Sequence, residues 1–135
     1  MRRPVSSTLL VFAVLSALAA GGAARAADEK KKGGGETYLQ FPTLTATMMR
    51  LNGGRGVLTV ETGLDVPDAG LRMRAEESEP RLRDAYVSYL LTYAASVQPG
   101  VAPDPDAIGL ALQRATDQVL GRPGAKLLLG TVLVN

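Results

Sequence analysis

The sequence contains no cysteine, no histidine and no tryptophan, and its aromatic residues are limited to four tyrosines and two phenylalanines. Without cysteine the chain cannot form a disulfide, a thiolate zinc site or an iron–sulfur cluster, and it has no thiol nucleophile. Without histidine it lacks the usual general base near neutral pH, the imidazole ligand of zinc and the Ser-His-Asp arrangement. These absences remove most familiar kinds of active site, so the sequence predicts no enzymatic activity, no metal and no cofactor.

The first 26 residues have the organisation of an export signal. Arg2 and Arg3 form a positive start, and an apolar run extends from Leu9 to Ala20. That run is shorter than the roughly 20 residues that span a membrane, so a cleaved signal is favoured over a permanent anchor. The arginine pair leaves both the general secretory route and the twin-arginine route open.

The end of this segment predicts where the signal is removed. Ala24 and Ala26 supply the small-x-small pattern that signal peptidase recognises, which predicts cleavage before Ala27 and a mature protein in the periplasm of a bacterium. Loss of the three arginines in the signal changes the formal net charge from +2 to −1. No basic surface for nucleic acid remains, so nucleic acid is excluded as a partner.

Residues 27–37 form a polar segment rich in lysine and glycine. It has no apolar periodicity, which indicates a flexible linker. Its three lysines, Lys30 to Lys32, could also contact anionic lipid head groups, so membrane association stays open. Residues 38–135 are close to the commonest size of one domain, and the sequence predicts a single domain over this range.

The domain is predicted to begin with a β-hairpin. Apolar residues alternate with threonines from Thr43 to Met48, and this period of two is typical of a half-buried strand. Pro42 interrupts the pattern, so Tyr38–Phe41 is expected to form an edge or a separate short strand. The second strand is predicted from Val57 to Val66, with a tight turn at Asn52-Gly53-Gly54.

The first helix is predicted to begin at Ser78, which can cap it, with Pro80 in its first turn. The three glutamates between positions 76 and 79 would then place negative charge at the positive end of the helix dipole. They could also pair as acid and base, as in glycosidases, but their position at the start of a surface helix favours the dipole role. Residues 71–74, ahead of this helix, fit either a strand or a helix.

An apolar stripe continues along this helix. Its members recur at spacings of three and four residues, which predicts a face buried in the core. The tyrosines in the row could instead stack against a ligand, but core packing with the hydroxyl groups at the rim is the favoured interpretation. The stripe consists of Leu82, Ala85, Tyr86, Tyr89, Leu90 and Tyr93.

A second helix and a final strand complete the predicted domain. Asp104 and Pro105 open the helix and Gly121 ends it. The run from Leu127 to Val134 is almost continuously apolar, which predicts a central strand covered on both faces. The fold class is therefore α+β, with a β-hairpin, two helices and a C-terminal strand on one sheet. The buried face of the second helix is assigned to Ile108, Ala111, Leu112, Ala115 and Val119.

Two polar segments resemble ligand-binding loops but do not complete their patterns. Gly53–Gly56 is glycine-rich, yet it lacks the spacing of a P-loop and joins two strands. Asp104 and Asp106 mimic the opening of a calcium loop, but Ile108 and Ala115 stand where an oxygen ligand and a glutamate are needed. A hairpin turn and a helix cap explain the two segments, so neither is assigned a ligand.

The order of the elements and one short motif are shared with a known family. An extended segment with a proline, a glycine-rich turn, a strand ending in Leu64-Asp65-Val66, two helices and a hydrophobic strand follow one another over residues 38–135. In this order the chain resembles the flagellar basal body-associated FliL family. The most specific part of the resemblance opens the first helix and consists of Pro80, Arg81, Leu82, Arg83 and Asp84.

The resemblance implies a periplasmic domain with a stomatin-like fold that self-associates into rings and supports the flagellar stator. The implied partners are further copies of the chain, the flagellar motor or other envelope proteins, and no catalytic or ligand-binding residues are implied. The alternative hypothesis is a soluble periplasmic carrier that binds an apolar or peptide ligand between helices and sheet. An exposed apolar patch would favour the interaction module, whereas an enclosed cavity lined by Tyr86, Tyr89 and Tyr93 would favour the carrier.

Overall fold

The fold is described from a computed structural model that covers residues 35–135. The predicted export signal, its cleavage residues Ala24, Ala26 and Ala27, and the linker up to residue 34 lie outside the described residues. Within residues 35–135, every helix is too short or too polar to span a bilayer.

The described chain has an α+β fold, as the sequence predicts. A four-stranded antiparallel sheet packs against three helices. The elements in chain order are β1 (Tyr38–Gln40), β2 (Leu44–Met49), β3 (Arg55–Asp65), α1 (Ala69–Glu77), α2 (Glu79–Ser96), α3 (Pro105–Leu120) and β4 (Lys126–Val134).

Strand β3 lies in the middle of the sheet. β1 and β2 follow one another along one side of it, and β4 lies along the other side. The predicted hairpin is confirmed, with Leu44 opposite Val60 and Met49 opposite Arg55. The chain leaves the ladder around Pro42, which cannot donate a backbone hydrogen bond, so the prediction of a separate short strand before it is also confirmed.

The hairpin turn depends on glycine. Gly53 has φ +78°, a left-handed conformation that most side chains disfavour. The Gly54 N–H donates to Asn52 Oδ1 at 2.9 Å, and the Arg50 N–H donates to the Gly54 carbonyl at 2.8 Å. The glycine-rich segment is thus a tight turn between two strands, as the sequence predicts.

Strand β4 is an edge strand, so the prediction of a central strand covered on both faces is wrong. It pairs only with β3 in the described chain, from Lys126 opposite Asp65 to Val134 opposite Leu58. Alternate side chains are half-buried towards the helices, whereas Leu128 remains 37% exposed on the other face. The helices of the described chain pack on one face of the sheet only. The apolar sequence of β4 does not indicate this, because it is the same whether one face or both faces are covered.

A third helix, α1, occupies the region that the sequence left ambiguous. Asp68 caps it, because its Oδ1 accepts the Leu71 N–H at 2.6 Å, and this hydrogen bond together with Arg122 lowers the pKa of Asp68. Glu76 and Glu77 lie in the last turn of this helix. Placing them at the start of the following helix was therefore wrong, and of the predicted glutamates only Glu79 lies in its first turn.

Ser78 joins α1 to α2 instead of capping α2 through its side chain. Its backbone has φ −94° and ψ 2°, outside the extended region typical of a capping residue. Its N–H donates to the Arg74 carbonyl at 3.0 Å, and its Oγ accepts from Arg81 at 3.0 Å. The predicted side-chain cap is wrong, because this backbone geometry belongs to the closing turn of α1.

One hydrophobic core lies between the sheet and the helices. On α2 and α3 the fully covered positions recur every four residues, so each helix presents a narrow buried row with half-buried residues beside it. Three residues of the predicted stripe on α2 are half-buried and flank the buried row, namely Ala85, Tyr89 and Tyr93. The same is true of three predicted core residues on α3, namely Ala111, Ala115 and Val119. The buried rows are Leu82, Tyr86, Leu90 and Ala94 on α2, and Ile108, Leu112, Thr116 and Leu120 on α3.

Candidate interaction surface

The motif at Pro80–Asp84 opens α2, as predicted. Leu82 is fully buried in the core. Pro80, Arg81, Arg83 and Asp84 are exposed. The motif therefore places one residue in the core and four at the surface. Proline is compatible with the first turn of a helix, because a backbone N–H at that position would have no partner within the helix.

Tyr86 is a core residue. Its hydroxyl lies 2.6 Å from Thr116 Oγ1. Thr116 donates its own proton to the Leu112 carbonyl at 2.8 Å, so Tyr86 is the donor to Thr116. The ring meets Phe41 edge-on with a centroid distance of 5.6 Å, and burial raises the pKa of Tyr86 above its ordinary value.

Tyr89 and Tyr93 form a stacked pair beside the core, with ring centroids 5.9 Å apart. Tyr93 also accepts the Asp104 N–H at 2.7 Å, which ties the end of α2 to the start of α3. Burial raises the pKa of Tyr89. The row predicted as a possible ligand-stacking surface thus packs on the protein itself, and the three cavities described below are lined by other residues.

Asp104 caps α3 as predicted, whereas Asp106 lies in the first turn as an exposed acidic residue. Asp104 Oδ1 accepts the N–H of Asp106 at 3.0 Å and that of Ala107 at 3.2 Å. Gly121, with φ +77°, ends the helix in a left-handed conformation. Within residues 35–135 no group of three or more acidic side chains is arranged to hold a metal ion.

The face of the sheet turned away from the helices is uncovered within residues 35–135. We call it the open sheet face. Met49 and Val57 on this face are 48% and 44% exposed, with Arg55 opposite Met49 and Thr47 opposite Val57. Since opposite residues in an antiparallel pair point to the same face, the register assigns to it Tyr38, Gln40, Thr45, Thr47, Met49, Arg55, Val57, Thr59, Glu61, Gly63, Asp65, Lys126, Leu128 and Leu133.

The outer edge of β4 pairs with no other strand in the described chain. Phe41 donates its N–H to the Thr62 carbonyl at 3.1 Å, so Thr62 faces β1. Hydrogen-bonding directions alternate along a strand, so Gly63 faces β4 instead, and Leu128 opposite it bonds to β3. By the same alternation Leu127 and Leu129 direct their backbone groups away from β3. The Leu127 N–H donates to Gln113 Oε1 of α3 at 2.7 Å, so a side chain covers the start of this edge.

A bulge interrupts β4 near its middle. Val60 pairs with Val132, but Thr62 pairs with Leu129, so Gly130 and Thr131 together face the single residue between them on β3. A side chain at Gly130 would meet that residue, Glu61, at 3.2 Å from its Cβ. The missing side chain at this point leaves the Glu61 carboxylate accessible from the edge of the sheet.

A groove of about 540 Å³ runs between α3 and β4. Leu110, on its α3 wall, is 61% exposed. Gly109 has no side chain, and a Cβ there would lie 4.0 Å from Leu129 Cδ2, so the helix approaches the strand closely. The groove is lined by Pro105, Asp106, Gly109, Leu110, Leu129 and Gly130.

Two further cavities lie at the ends of the sheet. One, of about 440 Å³, is mainly apolar and includes Leu51, Val101 and Val134, all exposed. The other, of about 450 Å³, is more polar and lies beside β1, where the ring of Tyr38 rests directly on Gly63. Most of the exposed large apolar residues thus lie on the open sheet face, along β4 and around the hairpin end, whereas Met73, Leu91 and Leu110 are exposed on the helices.

Comparison with known proteins adds no family. No protein-family model matches the chain, and no curated protein matches it either.

Proposed function

We propose that the protein is a non-enzymatic interaction module that acts in the periplasm by associating with itself and with other envelope proteins. The observation that carries the proposal is the uncovered surface formed by the open sheet face and β4, on which the exposed apolar residues Met49, Val57, Leu128 and Leu133 lie among threonines and charged residues. Exposed apolar residues rimmed by polar ones commonly mark interaction sites. Beyond Leu127, the edge of β4 that pairs with no strand adds backbone groups able to bond to another chain.

The flagellar basal body or stator is the machinery that we propose as the setting. The FliL-like order of elements and the motif at Pro80–Asp84 support this, and a stomatin-like arrangement belongs to the same proposal. The periplasmic location follows from the export signal predicted before Ala27. In this proposal docking depends on the surface of the folded domain.

Deletion of the gene should reduce swimming or swarming while growth in liquid medium stays normal, because a protein that acts by contact with the flagellar motor takes no part in metabolism. Soft-agar and viscous-medium assays give the readout, with growth rate as the internal control. Complementation should succeed with a chain in which Lys30, Lys31 and Lys32 are serines, since the linker only positions the domain. It should fail with Leu82→Asp, which is designed to unfold the domain.

Unaltered motility of the deletion strain on both media would contradict the flagellar part of the proposal. If the purified protein also stayed monomeric at raised concentration, the self-association part would fail as well. A periplasmic carrier would then become the leading hypothesis, and native mass spectrometry of protein taken from the periplasm should reveal a co-purifying ligand.

A further inference from the structure

Two loops meet at the end of the domain that carries the hairpin turn. One is the turn between β2 and β3, and the other joins α2 to α3. A Cβ on Gly100 in the second loop would lie 3.2 Å from the side chain of Leu51 in the first, so the two loops are in contact. The end of β4 lies beside them. We call this end of the domain the apolar tip, and it is formed by Met49, Leu51, Val101, Leu133 and Val134.

The apolar side chains of the tip point away from the core. Leu51 is 82% exposed, and Val101 in the neighbouring loop is 53% exposed. Single exposed leucines are common on protein surfaces. Here five exposed apolar side chains lie around one cavity of about 440 Å³, and such a group indicates a surface that contacts something else.

The charges around the tip are of one sign. Arg50 and Arg55 are both exposed, and neither residues 48–57 nor residues 96–103 include an aspartate or glutamate. The next acidic residue along the second loop is Asp104, and its carboxylate accepts backbone hydrogen bonds at the start of α3. The tip therefore presents apolar side chains together with positive charge.

The two arginines lie on opposite faces of the sheet. Arg55 is opposite Met49, on the open sheet face. The side chain of Arg50 lies over Gly56, with its Nε 3.0 Å from the position of a Cβ there. Gly56 is opposite Met48, which is buried on the side of the helices. One guanidinium group thus stands behind the tip on each side.

We propose that the apolar tip binds the surface of a bilayer that contains anionic phospholipids. Leu51 and Val101 enter the apolar boundary beneath the head groups, and the two arginines bind the phosphates. A guanidinium group matches the geometry of a phosphate, and its stem can lie along apolar surface while the charged end stays among the head groups. The inference goes beyond the proposed function, because lipid contact requires neither a protein partner nor self-association.

The backbone of the tip suits a site with little water, where unsatisfied N–H and C=O groups are costly. In the turn, the Gly53 N–H donates to the Arg50 carbonyl at 3.0 Å, and the Arg50 N–H donates to the Gly54 carbonyl at 2.8 Å. In the second loop, the Val101 N–H donates to the Gln98 carbonyl at 3.1 Å. These hydrogen bonds reduce the number of polar groups that must lose water when the tip enters the membrane surface.

A second copy of the chain matches the tip less well than lipid does. Eleven residues line its cavity, whereas a specific protein interface takes roughly 20–30 residues from each partner. A contact between two identical tips would also set Arg50 and Arg55 near the same arginines of the other copy, and like charges repel. Anionic head groups supply the opposite charge instead.

Binding through the tip is expected to be reversible. Burial of one leucine side chain raises an affinity about ten- to a hundredfold, and one arginine near an anionic surface raises it about fivefold. Even a single myristoyl chain gives only reversible membrane binding. The tip therefore orients the domain at a membrane and does not anchor it permanently.

Vesicle co-sedimentation of residues 27–135 tests the proposal; the predicted signal is left out because its apolar run would itself bind lipid. The chain should sediment with vesicles of equal parts phosphatidylglycerol and phosphatidylcholine, and much less with phosphatidylcholine alone. Leu51→Ser should lower the partition coefficient at least tenfold, and Arg50→Gln about fivefold. Both residues are exposed, so the urea midpoint should stay close to that of the wild type.

Matched controls lie on α1, which follows the other end of β3. Met73 is 63% exposed and Arg74 is exposed next to it, as Leu51 and Arg50 are at the tip. Met73→Ser and Arg74→Gln should therefore leave vesicle binding unchanged. Serines in place of Lys30–Lys32 remove the charge of the linker and should lower binding less than Leu51→Ser does.

A fluorescent label tests the orientation independently, because the chain has no cysteine of its own. Leu51→Cys carrying an environment-sensitive dye should shift its emission to shorter wavelength when anionic vesicles are added. The same dye on Met73→Cys should show no shift.

Four results would overturn the proposal. Absence of binding to anionic vesicles, or equal binding to neutral ones, would contradict it outright. Binding that depends on Lys30–Lys32 and not on Leu51 would assign the lipid contact to the linker. A dye shift at position 73 as large as that at position 51 would place the contact elsewhere on the domain. If Leu51→Ser abolishes self-association in sedimentation velocity and leaves vesicle binding intact, the tip is an interface between copies.

Discussion

Leu82→Asp is expected to leave the domain unfolded at room temperature, whereas Arg83→Asp should stay within about 0.5 kcal/mol of the wild type. Leu82 is fully buried and Arg83 is exposed on the same turn of α2. An unpaired carboxylate in a core costs on the order of 3–5 kcal/mol, and loss of the leucine packing adds about 2–5 kcal/mol. Together these terms approach or exceed a domain stability of about 5–15 kcal/mol.

Far-UV circular dichroism and urea melts of the two variants give the measurement. The neighbouring position is a close control, because both variants carry the same new side chain near the same helix terminus. An aspartate at position 83 also lies in the second turn of α2, where negative charge is tolerated near the positive end of the dipole. A native-like urea midpoint for Leu82→Asp would contradict the placement of Leu82 in the core.

Tyr86→Ala should destabilise the domain by about 3–5 kcal/mol, the usual cost of removing a large ring from a core. The ring is fully buried against Phe41, so its loss leaves a cavity. Tyr86→Phe should cost only about 0.5–1.5 kcal/mol, since it removes one hydrogen bond. Thr116 keeps its bond to the Leu112 carbonyl in that variant, so no buried donor is stranded.

Two controls separate burial from position on the helix. Ser88→Ala, on the exposed side of α2, should stay within about 0.5 kcal/mol of the wild type. Tyr89→Ala should cost less than Tyr86→Ala, because Tyr89 is only half-buried. Denaturant melts that rank Tyr89 above Tyr86 would show that the core row of α2 has been assigned to the wrong side of the stripe.

Local signals in the sequence were sufficient for the hairpin and for α3. In both cases the information lies in a few neighbouring residues, namely the glycines of the turn at Gly53 and the cap at Asp104. The period of two along β2 also predicted which of its side chains face the core. These features depend on backbone preferences that act over a few residues, so tertiary context does not change them.

The errors occurred where tertiary context decides. Leu127–Val134 carries apolar residues on both faces of its strand. Whether both faces are covered depends on how many helices the chain packs on the sheet, and this segment alone does not encode that number. Ser78 has the composition of a helix cap, but α1 ends there and its closing turn fixes the backbone of Ser78. The extra helix itself was ambiguous because Leu71 fits both a period of two and a period near four.

The candidate interaction surface could be predicted from the sequence only in outline. An apolar C-terminal strand with one lysine is visible, and the hypothesis of self-association followed from the family resemblance. The position of Glu61 beside Gly130 depends on the register between β3 and β4 and on the bulge between them. A single sequence carries no signal for either, because both arise from pairing between residues distant in the chain.

Amide hydrogen exchange at increasing protein concentration tests most directly whether the protein works by associating through its sheet edge. The Leu129 N–H, which faces the unpaired edge of β4, should exchange rapidly in dilute protein and become protected as the concentration rises, with α1 unchanged as the internal reference. Exchange that is independent of concentration throughout residues 35–135 would contradict self-association. Protection that appears elsewhere and not at Lys126–Gly130 would place the interface on another surface.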